Sequence, residues 1–172
     1  MQASSATTPI PLAALVYRDG IDPAPVLQDV VSLLRQRGVV VGGAVQHGDV
    51  GCAMTLELLP SGVRVPISQD LGSGASGCRL DSVALAEAAS LVRKAIDASP
   101  QLAVFNKFGS QEAVGSGMHA EMVAAVTAGV PILTAVRDTL LPQWEEFTGG
   151  QSAQLSCTVE AALAWWDALA SD

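Results

Sequence analysis

Four short, nearly uninterrupted apolar runs, with amphipathic helical patterns between them, restrict this chain more than any other feature. They are Leu12–Tyr17 (LAALVY), 39–46 (VVVGGAVQ), Leu102–Phe105 (LAVF) and 130–136 (VPILTAV). None shows the strict apolar–polar alternation of a strand with one wet face. Each therefore reads as a strand buried on both sides, which is the habit of parallel sheets covered by helices. Asp22 as cap and Pro23 at the first helical position open a helix with Val26, Leu27, Val30, Val31 and Leu34 at helical spacing, closed by Gly38. A second helix spans 81–97, with Leu85, Ala88, Ala89, Val92 and Ile96 on one face. A third runs from about 118 to 128 and stops at Gly129. Near the carboxyl end come a short helix over 142–147, a short strand over 155–157 and a final helix capped by Thr158. The segments 52–59 and 63–68 flank Pro60-Ser61-Gly62 and predict a β-hairpin. The expectation is one α/β domain over 11–172: three layers, a mostly parallel sheet with helices on both faces, plus a β-hairpin. A polar leader over 1–10 precedes it.

Charge narrows the partners. The formal net charge is −8, which disfavours nucleic acid and anionic membranes, since both need basic patches. It still permits a small anion, because a few backbone amides and one or two cations can hold one inside an acidic protein. Only 4% of residues are aromatic against 49% hydrophobic, so the core must be built from Ala, Val and Leu. No export signal is legible, and a cytoplasmic location is expected. Cys52, Cys78 and Cys157 are widely spaced, with no CxxC pair to suggest zinc or redox chemistry.

Ligands of open parallel sheets bind beyond the carboxyl ends of the strands. Polar residues gather there: Arg18-Asp19 after the first run, Gln46-His47 after the second, Asn106-Lys107 after the third, Arg137-Asp138 after the fourth. Two stretches are more specific. Gly72, Ser73, Gly74, Ala75, Ser76, Gly77, Cys78 and Arg79 form a glycine–serine loop ahead of the second helix, where amides, hydroxyls, a cation and a helix amino end could gather around a tetrahedral oxyanion. Gly115, Ser116 and Gly117, with His119 one turn on, could form a second amide nest. A plain surface loop and ordinary helix capping fit the same residues, and residue type alone does not separate the readings. Lys107 and Arg137 are the candidate fixed cations. Glu112 and Glu121 read as solvated carboxylates, with a base or metal-ligand role as the alternative. Neither glycine stretch matches GxxxxGK[ST] or GxGxxG, so no nucleotide motif is intact.

SQDLGSGASGCRLD (68–81) and FNKFGSQEAVGSGM (105–118), with PILTAV and the later Trp144, Phe147 and Gly149-Gly150, resemble the signature stretches of a bacterial domain-of-unknown-function family associated with molybdate transport. That family is distantly similar to P-loop nucleoside-triphosphatases and to the accessory ATPase of molybdopterin-guanine-dinucleotide synthesis. The resemblance spans about 12–166. It implies a degenerate P-loop NTPase-like fold and molybdate or tungstate as the ligand. The chain departs from the ATPase pattern after its first strand, where Arg18-Asp19-Gly20-Ile21-Asp22-Pro23 carries no Gly-Lys-Ser/Thr, and at Lys107, where such ATPases carry an acidic metal-binding residue. The expected function is oxyanion binding, with an atypical nucleotide-binding protein or nucleoside-triphosphatase as the alternative. The expected partners are the anion itself, a second copy of the chain, and proteins of molybdate transport or of the molybdenum cofactor. A third reading is an adaptor that docks through the last helix and its Trp165 and Trp166.

Overall fold

The computed structural model describes residues 9–48, 54–70 and 78–171. Among them a seven-stranded sheet runs in the order β4-β3-β2-β7-β8-β1-β9. Its members are β1 (Leu12–Tyr17), β2 (Val41–Gly48), β3 (Met54–Leu59), β4 (Arg64–Pro66), β7 (Leu102–Phe105), β8 (Ile132–Arg137) and β9 (Ser152–Ser156). The five strands β2, β7, β8, β1 and β9 are parallel, while β3 and β4 extend the sheet antiparallel beyond β2. A separate two-stranded antiparallel sheet pairs β5 (Ser68–Asp70) with β6 (Cys78–Leu80).

Alternation along the parallel strands sends side chains into two cores. Leu12, Ala14, Phe105, Ile132 and Val136 pack against α2 (Ser82–Asp97), α4 (His119–Thr127) and α5 (Leu141–Thr148) on one face. Ala13, Leu15, Val104, Leu133 and Ala135 pack against α1 (Ala24–Gln36) and α6 (Val159–Ala170) on the other. This is the expected three-layer α/β architecture. Most core residues are Ala, Val, Leu and Ile, and the small ones let backbones approach. At Gly43, where β2 meets β7 at φ +106°, a Cβ would strike the Val104 carbonyl.

Several local expectations change. The first helix begins at Ala24, with Pro23 at its cap position, and Asp22 serves it from one residue earlier by accepting the Ala24 N–H at 3.0 Å. The single expected hairpin is a meander, β2-β3-β4, because β2 runs on to Gly48 and pairs with Met54. The glycine–serine loop does not lead straight into a helix. It lies between β5 and β6, and residues 71–77 fall outside the described ones, so Gly72, Ser73, Gly74, Ser76 and Gly77 do too. Cys78 and Arg79 stand on β6, opposite Asp70 and Gln69.

Candidate functional site

The turn after β1, where a P-loop would hold phosphate, has fewer free amides than such a cradle needs. Pro23 and Pro25 carry no N–H, the Ala24 N–H is taken by Asp22, and the Ile21 N–H donates to the Arg18 carbonyl at 3.1 Å. No lysine follows β1. Beside it, Arg137 at the end of β8 pairs with Asp19 at 3.2 Å and stands near the Tyr17 phenol, so this candidate cation already has a partner. Burial pushes the Tyr17 phenol above its ordinary value; Arg137 opposes the shift and Asp22 adds to it. Burial and then Asp22 likewise raise the Cys157 thiol, which keeps it protonated and unreactive near neutrality.

The concave site lies at the other end of the carboxyl edge, past β2 and β7. A cavity of about 290 Å³ opens there. Asn106 and Lys107 from the end of β7, Gly109 and Glu112 around α3 (Ser110–Ala113), and Gly117 and Met118 before α4 form one side of it. Ile67, just before β5, and Leu80, the last residue of β6, form part of the other. The two signature stretches therefore meet at one cavity, through Leu80 of the first and Phe105, Lys107 and Met118 of the second.

Packing decides what each polar residue there is free to do. Asn106 ties β7 to β2: its Oδ1 accepts the Gln46 N–H at 3.0 Å and its Nδ2 donates to Gln46 Oε1 at 3.2 Å. Phe108 then turns back to the sheet. Its N–H donates to the Ala135 carbonyl at 2.9 Å, and its ring is buried at 5.3 Å, edge-on, from Trp144. With Phe105 and Phe108 both held in the core, Lys107 between them is left at the surface. Among the described residues it makes no ion pair. Its stem lies along Gly109, where a Cβ would sit 3.5 Å from Lys107 Cε.

The Gly115–Gly117 turn is not an open nest. Glu112 folds back beneath it, and its carboxylate accepts the Gly109 N–H at 2.9 Å and the Met118 N–H at 3.2 Å. Gly117 is needed there because a Cβ would collide with that carboxylate. The Gly115 and Ser116 amides donate to the Glu112 and Gln111 carbonyls, and the His119 amide donates to Ser116. The anion at this helix entrance thus belongs to the chain itself. Sequence reasoning passed over this role of Glu112; the signal available was its position three residues after a helix-cap glycine. Asp81 acts alike at α2, accepting from Val83 and Ala84 at 3.1 Å each. His119 faces away from the cavity, with its ring 5.2 Å from Phe147. A broader groove beside α1 holds His47 and Arg35, both committed, with Arg64, to Glu57 at 2.9–3.6 Å. Among the described residues no three His, Cys, Asp or Glu side chains group as metal ligands. No described helix is long and apolar enough to cross a membrane.

Fold and site together define a three-layer α/β domain with a mostly parallel sheet, no Gly-Lys-Ser/Thr turn after β1, and a cavity two strands away from it. The chain belongs to the family described as protein of unknown function DUF2478, whose model matches residues 12–165. It is 39% identical over 160 residues to the molybdenum import ATP-binding protein ModC 2 of Bradyrhizobium diazoefficiens. That stretch is 90% of this chain but 18% of the relative, so the chain spans under a fifth of that protein's length. Among solved structures, THEP1 from the hyperthermophile Aquifex aeolicus superposes with a TM-score of 0.66 at 10% identity, covering 93% of this chain and 98% of that one. A human cancer-related nucleoside triphosphatase superposes with a TM-score of 0.61 at 16% identity, covering 85% and 88%. At such identities the likeness is one of fold.

Proposed function

We propose that this protein binds a tetrahedral oxyanion, molybdate or tungstate first among them, and does so without hydrolysing nucleotides. The observation that carries the reading is Lys107. It is a cation with no carboxylate partner among the described residues, at the carboxyl end of a central parallel strand and on the rim of a cavity. The β5–β6 hairpin stands opposite, and Ser73, Ser76, Arg79 and the amides of Gly72, Gly74, Gly77 and Cys78 are proposed to complete the coordination from there. The molybdenum-import name of a 39% identical relative supports the choice of anion. On this reading the domain works in the cytoplasm beside molybdate-transport or molybdenum-cofactor proteins, as a homo-oligomer. The fold likeness to nucleoside triphosphatases favours a competing nucleotide reading. Two prolines and an aspartate-occupied amide after β1 count against it, since phosphoryl transfer depends on such a cradle.

Calorimetric titration with molybdate, tungstate, sulfate and phosphate tests the proposal. Binding by the parent and about a 10- to 100-fold loss in Lys107→Met, the worth of one charge-assisted contact, are expected. No heat with any anion at millimolar concentration, together with ATP- or GTP-dependent phosphate release, would replace this reading with the nucleotide one.

A further inference from the structure

The cavity beside Lys107 is larger and more apolar than a bare oxyanion requires. Its volume of about 290 Å³ stands at the lower end of small-molecule pockets, roughly 300–1,000 Å³. Its floor is Leu56, Ile67, Phe105 and Met118, all buried, with Met54 and Leu85 partly so. Among the described residues the polar lining comes from Gln46 on β2, Asn106 and Lys107 after β7, and Ser110, Gln111 and Glu112 on α3. Of these, Gln46 and Asn106 satisfy each other, and both oxygens of Glu112 are held by backbone amides. Lys107 is the rim's unpaired charge among the described residues. A hydrated dianion placed on the apolar floor would lose water that Gln46, Asn106, Glu112 and Lys107 cannot replace. An apolar group placed there would gain from the burial.

We infer that the site recognises its oxyanion as the head of a small organic molecule: Lys107 takes the charged group, and a flat, apolar body of one or two rings fills the cavity between Phe105, Leu56 and Leu85. The inference rests on the oxyanion reading of Lys107 and adds to it a ligand class, aryl or alkyl esters of an oxyanion rather than the free ion. It also assigns Ala44, at the base of the cavity, and Leu85, on its α2 side, as residues that set how large a body enters.

The experiment is calorimetric titration of the full chain with inorganic phosphate, phenyl phosphate, 1-naphthyl phosphate and neutral 1-naphthol. At least tenfold tighter binding of an aryl phosphate than of inorganic phosphate is expected. Ala44→Leu and Leu85→Phe fill the cavity from two sides and should each bring the aryl ester back to the inorganic level while inorganic phosphate binds as before. Leu85 is only partly buried, so its variant stays informative should Ala44→Leu fail to fold. Equal binding of aryl and inorganic phosphate, or an aryl preference that survives in a folded variant, overturns the inference and leaves the oxyanion reading standing. 1-Naphthol binding as tightly as its phosphate, with Lys107→Met without effect, overturns the oxyanion reading and this inference with it.

Discussion

Replacing Glu112 probes whether the Gly115–Gly117 turn is a site already filled from within. The carboxylate takes two backbone N–H groups, from Gly109 and Met118, both buried residues. Hydrogen bonds to a charged acceptor contribute about 1.5–3 kcal/mol each, and partial access of water to the turn reduces the sum to about 2–4 kcal/mol for Glu112→Ala. In a domain of this size that corresponds to a fall of roughly 4–16 °C in Tm. Glu112→Gln keeps one acceptor and sets an amide against the second donor, so about half the loss is expected. Urea denaturation with linear extrapolation reads both, and the m-value should not change. Millimolar formate or acetate should restore part of the Glu112→Ala loss by occupying the vacated amides. Both variants lying within about 0.5 kcal/mol of the parent would show the reasoning wrong, because the Gly109 and Met118 amides would then be served by solvent and not by the carboxylate.

Gly43→Ala sets a side chain against the Val104 carbonyl at a positive φ, and should abolish soluble expression or cost well over about 3 kcal/mol by chemical denaturation. Trp144 is fully buried, donates its Nε1–H to Ser152 Oγ and joins α5 to β9; Trp144→Ala should cost about 3–5 kcal/mol, or roughly 6–20 °C in Tm by calorimetry. Tyr17 and Cys157 both hold their protons more tightly folded than unfolded, so the stability they carry is complete below the ordinary 9.0 of the thiol and 10.0 of the phenol and is lost as pH rises through their raised values. The unfolding free energy of the parent should fall above about pH 9 more steeply than that of a Tyr17→Phe/Cys157→Ala variant, and alkylation of Cys157 at pH 8 should lag behind that of a free cysteine.

The elements read most easily from the sequence are those whose pattern and environment agree. β1 and β7 begin and end where their apolar runs do, since both are buried on each face. Thr158, expected as a cap, opens α6 by accepting the Ala161 N–H, while Asp81, read as the first residue of the second helix, is the cap of α2. β2 starts two residues later than its apolar run because Val40 is exposed and its N–H is taken by the Gln101 side chain. β9 (SAQLS) is a half-exposed edge strand, so most of it carries no apolar signature. The site divided in the same way. Asn106, Lys107 and the two glycine stretches stood out as polar tips on apolar strands. Which of them stays free depends on longer-range packing: Gln46 claims Asn106, Phe147 lies against His119, and Phe108 returning to β8 leaves Lys107 outside. A sequence shows a glycine turn and a nearby glutamate equally whether the glutamate points to solvent or fills the turn.

On the proposed reading, anions are met at the end of β7 and not after β1. Backbone amide NMR on the full chain, titrated with molybdate, separates the two places directly. Shifts gathered over 106–118 and at β6, lost in Lys107→Met, are expected. Shifts gathered over 18–26, insensitive to Lys107, would contradict the account and return the ligand to the place where a P-loop holds it.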